Sequence, residues 1–460
     1  MTDHPGEQSA QTGMVRRRAL AVSAAVLAGL QASTGAVAAQ GGERAARAGL
    51  HWQLCSTVKA GWPIKNDTRT ECAELTVPMD YAEPKGRKIQ ISVSRVRATQ
   101  PKTPTAPIVS VLGGPGYSNI SDPASMTQGG LATLNADHDV IGLDLRGTGY
   151  SDGIPCDQKP WPEPALTTPE KNLQKVFFNH QAEYNRRCAA IDPEFVRQIT
   201  PENAARDIDR FRKALGTEKI NFYGSSFGTA IGMAYRALFD RRTERMWLDS
   251  PVPPTRHLPT MDAGMESNGT KDTAPFVNWL SQRDAEHHWG TDEATVRERL
   301  GDLRGQLERK PRTSDGTRLD GSDGTRLDGH WVVSQVHRPR EEWDDAAKNL
   351  VTVRNSGTLP TPPAATAERT PARPLGPGNP HYLSNTLQWH AMFCNTDLAS
   401  RGFGDLWATR EIRRAANPLT GGSEFSTSCA KWPLKAPAAK PTHGNSALQI
   451  SGHLYERVTP

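Results

Sequence analysis

The run Lys219 to Tyr223 leads straight into Gly224-Ser225-Ser226-Phe227-Gly228, and this constrains the chain more than any other feature. A short apolar strand passes into a helix that extends to about Phe239, with no room for a loop between them. So sharp a turn forces its central residue into strained dihedrals and presses neighbouring side chains together. Glycine at 224 and 228 removes that clash, and Gly232 lets the helix lie close on a sheet. The hydroxyl of Ser226 is then expected at the carboxyl edge of the sheet, beside the positive end of the helix dipole, where a serine can act as a nucleophile.

The surrounding pattern is that of a doubly wound, mostly parallel α/β sheet. Ala73 to Pro78 and Lys88 to Val96 read as a hairpin around Glu83-Pro84-Lys85-Gly86. Ile108 to Leu112 is a strand ending in Gly113-Gly114-Pro115-Gly116, and Val140 to Leu145 another, ending in Arg146-Gly147-Thr148-Gly149. Thr200-Pro201 opens a helix whose apolar stripe is Ala204, Ile208, Phe211 and Leu215, and Gly216 stops it. Met246 to Leu248 is a further strand, ending at Asp249.

From Pro251 the character changes to Trp-, Pro-, Arg- and Glu-rich sequence with helical patches at Glu293 to Leu307 and Thr386 to Met392; the strand signal resumes at Ala447 to Ser451. The expected organisation is a signal peptide over 1–38, a first core part over 39–250, a mainly helical cap over 251–440 and a returning core part over 441–460. Within the cap, an octapeptide from Ser314 to Gly321 repeats as Ser322 to Gly329. Its aspartates lack the carboxylate ladder of a calcium loop, so a duplicated solvent hairpin is expected. Leu359 to Pro380 reads as a proline-rich connector.

The net charge of +5 over 460 residues, with basic and acidic residues interspersed, excludes the concentrated basic face of a nucleic-acid binder. Arg16, Arg17 and Arg18, the apolar run Ala19 to Leu30 and Ala36-Val37-Ala38 form a Sec or twin-arginine export signal, too short to stay as a membrane anchor. The expected location is therefore secreted. Six cysteines suit that compartment and lack metal-ligand spacing, so disulfides are expected and a metal is not. Sequence allows fifteen connectivities; pairing of sequence neighbours gives Cys55–Cys72, Cys156–Cys188 and Cys394–Cys429.

Acyl transfer passes through a tetrahedral oxyanion that fixed N–H donors must meet. The amide of Phe227 is one candidate. Gly114 is the other, because Pro115 has no N–H, with Gly116 in reserve. Leu112-Gly-Gly-Pro-Gly116, Asp144-Leu-Arg-Gly-Thr-Gly-Tyr-Ser151 and Tyr223-Gly-Ser-Ser-Phe-Gly228, in that order, resemble the motifs of the proline iminopeptidase and tripeptidyl aminopeptidase branch of the α/β-hydrolases. Cys72-Ala-Glu-Leu-Thr-Val-Pro-Met-Asp-Tyr81, Leu248-Asp249 and Cys429-Ala-Lys-Trp-Pro433 resemble the secreted actinobacterial tripeptidyl aminopeptidase-like group.

The resemblance implies an exported serine exopeptidase that takes short peptides or proline from free N-termini without a cofactor. Its cap pocket needs a carboxylate for the substrate ammonium group, and Asp397, Glu266, Glu341 and Glu342 are candidates. Arg146 is implied to be a structural corner with no catalytic step. An esterase or lipase on the same core, and a non-catalytic secreted binding protein, are the alternatives.

The rest of the triad is harder to place. In this fold the order is serine, acid, histidine. Glu456, three residues before Thr459, stands where the family usually has its acid, with Asp249 as fallback. No histidine follows Glu456; His443 and His453 precede it, and geometry rather than order defines a triad. The expectation is a chain without its last core elements, an exposed final strand and an inactive or nearly inactive product.

Overall fold

The computed structural model describes residues 49–102, 105–157, 159–314, 326–356, 385–396, 401–438 and 443–453. The antiparallel entry to the sheet is set by alternation. β1 (Gln53–Leu54), followed by α1 (Cys55–Val58), pairs with β2 (Thr70–Pro78), which pairs with β3 (Lys88–Val96) from Thr70 opposite Val96 to Pro78 opposite Lys88. Ile89, Ile91 and Val93 point into the core, as their period of two requires.

Parallel strands follow. β4 (Ile108–Val111) is succeeded by α2 (Asp122–Met126), and β5 (Val140–Leu143) by α3 (Glu170–Ala189), α4 (Pro193–Arg197) and α5 (Pro201–Leu215). β6 (Ile220–Ser225) runs into α6 (Gly228–Phe239), and β7 (Thr243–Asp249) comes next. With the late strand, introduced below, the sheet has eight strands; β5, β4, β6 and β7 lie side by side and parallel. Thr200 caps α5 by accepting the Asn203 N–H at 3.1 Å, and Gly216 ends it at φ +75°. A Cβ at Gly232 would lie 2.6 Å from Leu248 and 2.8 Å from Phe222, so α6 rides directly on β6 and β7.

A second core lies beyond β7. It is built by α7 (Leu258–Ser281), α8 (Asp284–His287), α9 (Glu293–Arg309), the small ribbon of β8 (Arg312–Thr313) and β9 (Arg326–Leu327), α10 (Gly329–Val336) and α11 (Trp343–Ser356). Phe276, Leu280, Trp289, Leu300, Val332 and Leu350 fill it. α12 (Thr386–Cys394) instead joins the sheet's core through Leu387, Ala391, Met392 and Phe393, and α13 (Phe403–Ala416) follows. β10 (Ala447–Ser451) then returns parallel to β7 and completes the sheet order β1-β2-β3-β5-β4-β6-β7-β10. It is an edge strand, with Leu448 40% and Ile450 62% exposed.

Sequence periodicity predicts neither α3 nor α7, and their buried faces show why. In α3, Gln181 and Asn185 are inward and polar: Gln181 donates to Asn185 (2.8 Å) and contacts His390 (3.0 Å), while Asn185 donates to the carbonyls of Ser428 and Ala430. In α7, Asp262 and Glu266 are buried on Ser426 and Arg413, and Pro275 lies inside the helix. Satisfied polar groups take the place of an apolar stripe.

The cysteines pair as Cys55–Cys72, Cys156–Cys188 and Cys394–Cys429. Among the described residues no helix is long and apolar enough to cross a membrane. The segments expected to be an export signal and a proline-rich connector, and most of the tandem repeat, lie outside the described residues.

Candidate active site

Ser226 sits between β6 and α6 with φ +51°, a conformation costly for any residue with a Cβ. Three bonds hold it there. Its N–H donates to the Asp249 carbonyl at 3.0 Å, and its own carbonyl accepts from the Thr229 N–H (3.0 Å) and hydroxyl (2.6 Å). The glycines give the space: a Cβ at Gly228 would lie 1.9 Å from the Val111 carbonyl oxygen, and one at Gly224 2.8 Å from the Gly228 oxygen.

The glycine loop after β4 closes over this turn. A Cβ at Gly113 would lie 2.3 Å from Ser226 Cβ and 2.9 Å from its Oγ, so loop and serine touch. Gly114 and Gly116 adopt φ +78° and +91°. The Leu112 N–H donates to Asn119 Oδ1 at 2.7 Å, and the Gly116 carbonyl accepts from the Asn385 N–H and the Thr148 hydroxyl, each at 2.7 Å. Asp144 fastens this loop to the turn after β5. Its carboxylate accepts from the Ser118 hydroxyl and from the N–H groups of Asn119, Ile120 and Tyr150. Complete burial nevertheless pushes its pKa up to about 6 against those bonds.

The N-terminus of α12 roofs the loop. A Cβ at Gly116 would meet the Asn385 carbonyl oxygen at 2.7 Å, and Phe227 packs on Phe393, which packs on Trp389. Sequence reasoning singled out neither Asn385 nor Trp389; the helical patch beginning at Thr386 was the available signal.

On the other side of the serine, register aligns Asp249 with Ser225 and with Ser451. Asp249 Oδ1 accepts the Ser451 hydroxyl at 2.5 Å and lies 3.7 Å from Nε2 of His453, whose side chain is 60% exposed. Among the described residues no hydrogen bond joins the Ser226 hydroxyl to a histidine. His443 precedes β10, beside the bonds that hold Gly444 and Asn445 to Arg236 and Asp240, and is thus a strand's length away from the serine edge. Glu456 and Asp397 lie outside the described residues.

The remaining candidates have other partners. Glu266 accepts from Arg413 Nε (2.9 Å) and the Glu424 N–H (3.0 Å); Glu341 and Glu342 are exposed, with Glu342 paired to Arg338. Arg146 is fully buried, forked onto Asp207 by two bonds of 2.7 Å and donating to the carbonyls of Pro78, Met79 and Gln198. A groove of about 860 Å³ follows the sheet face that bears Tyr223 and Trp247, opposite α6, and Ser226 is not among its lining residues.

The sheet order, the serine turn and the glycine loop together define the α/β-hydrolase fold. The family model described as alpha/beta hydrolase fold matches residues 106–323. The chain is similar to the tripeptidyl aminopeptidase of Streptomyces lividans, 32% identical over 281 residues, which is 58% of this chain and 51% of that one. It is also similar to the serine protease Hip1 of Mycobacterium tuberculosis, 30% identical over 40% of this chain and 36% of that one, and to carboxylesterase B of the same species, 27% identical over 87% and 78%. The chain spans about half the length of the tripeptidyl aminopeptidases it matches. A solved proline iminopeptidase-related protein from Thermus thermophilus is 17% identical over 43% of this chain and 50% of that one, with a TM-score of 0.27, too low to bear on the site.

Proposed function

We propose that this chain carries the nucleophile and oxyanion parts of an exported serine exopeptidase that releases short peptides or proline from free N-termini. The observation that supports it most is Ser226, held at φ +51° directly beneath Gly113. In this reading Ser226 Oγ attacks the scissile carbonyl, its proton passes to a base, and the amides of Gly114 and Phe227 donate to the oxyanion that forms. Glu456 or Asp249 orients the base. Residues 251–440 form the cap that selects a short substrate, and the tripeptidyl aminopeptidases among the relatives favour a peptide. The export signal and three disulfides support secretion. Because the Ser226 hydroxyl has no imidazole partner among the described residues, the proposal includes slow acyl transfer by this chain.

The similarity to carboxylesterase B over 87% of the chain favours a second reading, an esterase on the same core. A fluorophosphonate probe, followed by hydrolysis of tripeptidyl and prolyl amides beside simple aryl esters, separates the two. Slow labelling at Ser226, lost in Ser226→Ala, with turnover of the amides is the expected result. Turnover of esters alone selects the esterase. Labelling at a normal enzyme rate overturns the slow-transfer clause, and labelling elsewhere overturns the nucleophile.

A further inference from the structure

Among the helices around the second core, α8 and α11 bring a histidine and two carboxylates around one point. His287 is 2% exposed, yet its Nε2 has no hydrogen-bond partner. Glu286 Oε2 lies 3.8 Å from that nitrogen and Asp344 Oδ1 4.0 Å, and the three donor atoms lie within 4.8 Å of one another. A buried imidazole nitrogen normally finds a partner.

Two explanations compete. An imidazolium bonded to both carboxylates would draw them to roughly 2.7–2.9 Å, well inside the observed gaps. A zinc-class ion instead holds its N and O ligands at about 2.0–2.2 Å, which separates tetrahedral donors by roughly 3.4 Å. The gaps of 3.8 and 4.0 Å close to that value by small rotations of the two carboxylate side chains, which are 58% and 62% exposed.

The surroundings leave the carboxylates available. Arg338 pairs with Glu342, while Arg283 and Arg340 lie over the rings of Trp279 and Trp343. Among the described residues, the ion-pair contacts of Glu286 and Asp344 are those to His287. Trp279 lies against both the His287 ring and Trp343, giving the point an apolar wall.

We propose that Glu286, His287 and Asp344 bind one divalent transition-metal ion of the zinc class, with water completing its coordination, and that the ion clips α8 to the first turn of α11. The ligands come from segments far apart in sequence, so no spacing motif announces them. The site stands independently of the reading of Ser226.

The test uses the full, untagged chain stripped with a chelator. Cobalt(II) serves as the spectroscopic probe and zinc as its competitor. One equivalent of cobalt should give visible d–d absorption that zinc displaces, and saturating zinc should raise Tm by roughly 5 °C. Asp344→Asn and Glu286→Gln, both at exposed positions, should each weaken binding at least about tenfold and remove the Tm rise. His287→Gln should abolish binding, but it tests the fold as well, so the exposed pair decides. Binding that is not saturable at one equivalent, or that survives unchanged in the Glu286→Gln/Asp344→Asn variant, overturns the proposal and assigns the signal to other histidines of the thirteen in the chain.

Discussion

Gly113 and Ser226 are packed so closely that a single methyl group on the glycine would lie 2.3 Å from the serine Cβ. The loop after β4 and the turn after β6 therefore form one rigid unit, because neither strand end can move without the other. Gly113→Ala should force them apart. The expected cost is about 1–3 kcal/mol of stability, with slower fluorophosphonate labelling of Ser226. Gly130→Ala is the control, since a Cβ there meets nothing within 4 Å. Equal Tm values for the two variants would remove the contact argument.

Ser226 at φ +51° stores backbone strain that its side chain must justify. Ser226→Ala keeps the Cβ and the strain while losing the hydroxyl. Ser226→Gly loses both. The glycine variant should be the more stable of the two by about 1 kcal/mol, the penalty for a left-handed residue with a Cβ less part of the glycine entropy cost. Thermal unfolding of the pair measures this, and a more stable alanine variant would mean that the turn relaxes freely.

Much of this arrangement was legible in the sequence, for a physical reason. β6, the glycine turn and α6 are specified by local rules, since the sharp turn demands Gly224 and Gly228 wherever the rest of the chain goes. The capped helix α5 was equally local: Thr200 and Gly216 mark its ends within their own hydrogen bonds. What stayed hidden depends on partners distant in sequence. α3 and α7 bury Gln181, Asn185, Asp262 and Glu266, which read as solvent-facing until His390, Ser426 and Arg413 arrive to bond them. The approach of His453 to Asp249 arises only when β10 pairs with β7. Asn385 likewise meets Gly116 from the far side of a long insertion.

Arg146 shows how a motif residue can be read as structural. Its guanidinium is wholly buried and forked onto Asp207, which also accepts the Tyr81 hydroxyl at 2.7 Å. Arg146→Met leaves that carboxylate buried with its cation gone, and the expected loss is about 3–5 kcal/mol. Arg146→Met combined with Asp207→Asn should recover part of it, because no unpaired charge then remains. Denaturant unfolding of the two variants measures the difference. Equal losses would show that the bonds to Pro78, Met79 and Gln198, rather than the charge pair, hold the corner together.

His390 sets an acid-side limit on stability. It is 5% exposed on α12, facing Tyr184 and contacting Gln181, and burial pushes its pKa down to about 3 from an ordinary 6.5. The folded chain therefore holds a neutral imidazole where the unfolded chain takes up a proton. Above pH 6.5 the two states carry the same charge at this residue and it gives no pH dependence. Between about 6.5 and 3 the unfolded state binds the extra proton, so stability falls as the pH falls, by up to about 1.4 kcal/mol per pH unit. His390→Gln keeps a neutral polar partner for Gln181 and has no proton to bind. Carboxylates contribute their own acid dependence, and the difference between wild type and variant isolates the histidine. Tm of the wild type minus Tm of the variant should be level above pH 6.5 and should shrink steadily toward pH 4. A difference that stays constant across that range would mean that His390 becomes protonated inside the fold, and that α12 opens to water above the glycine loop.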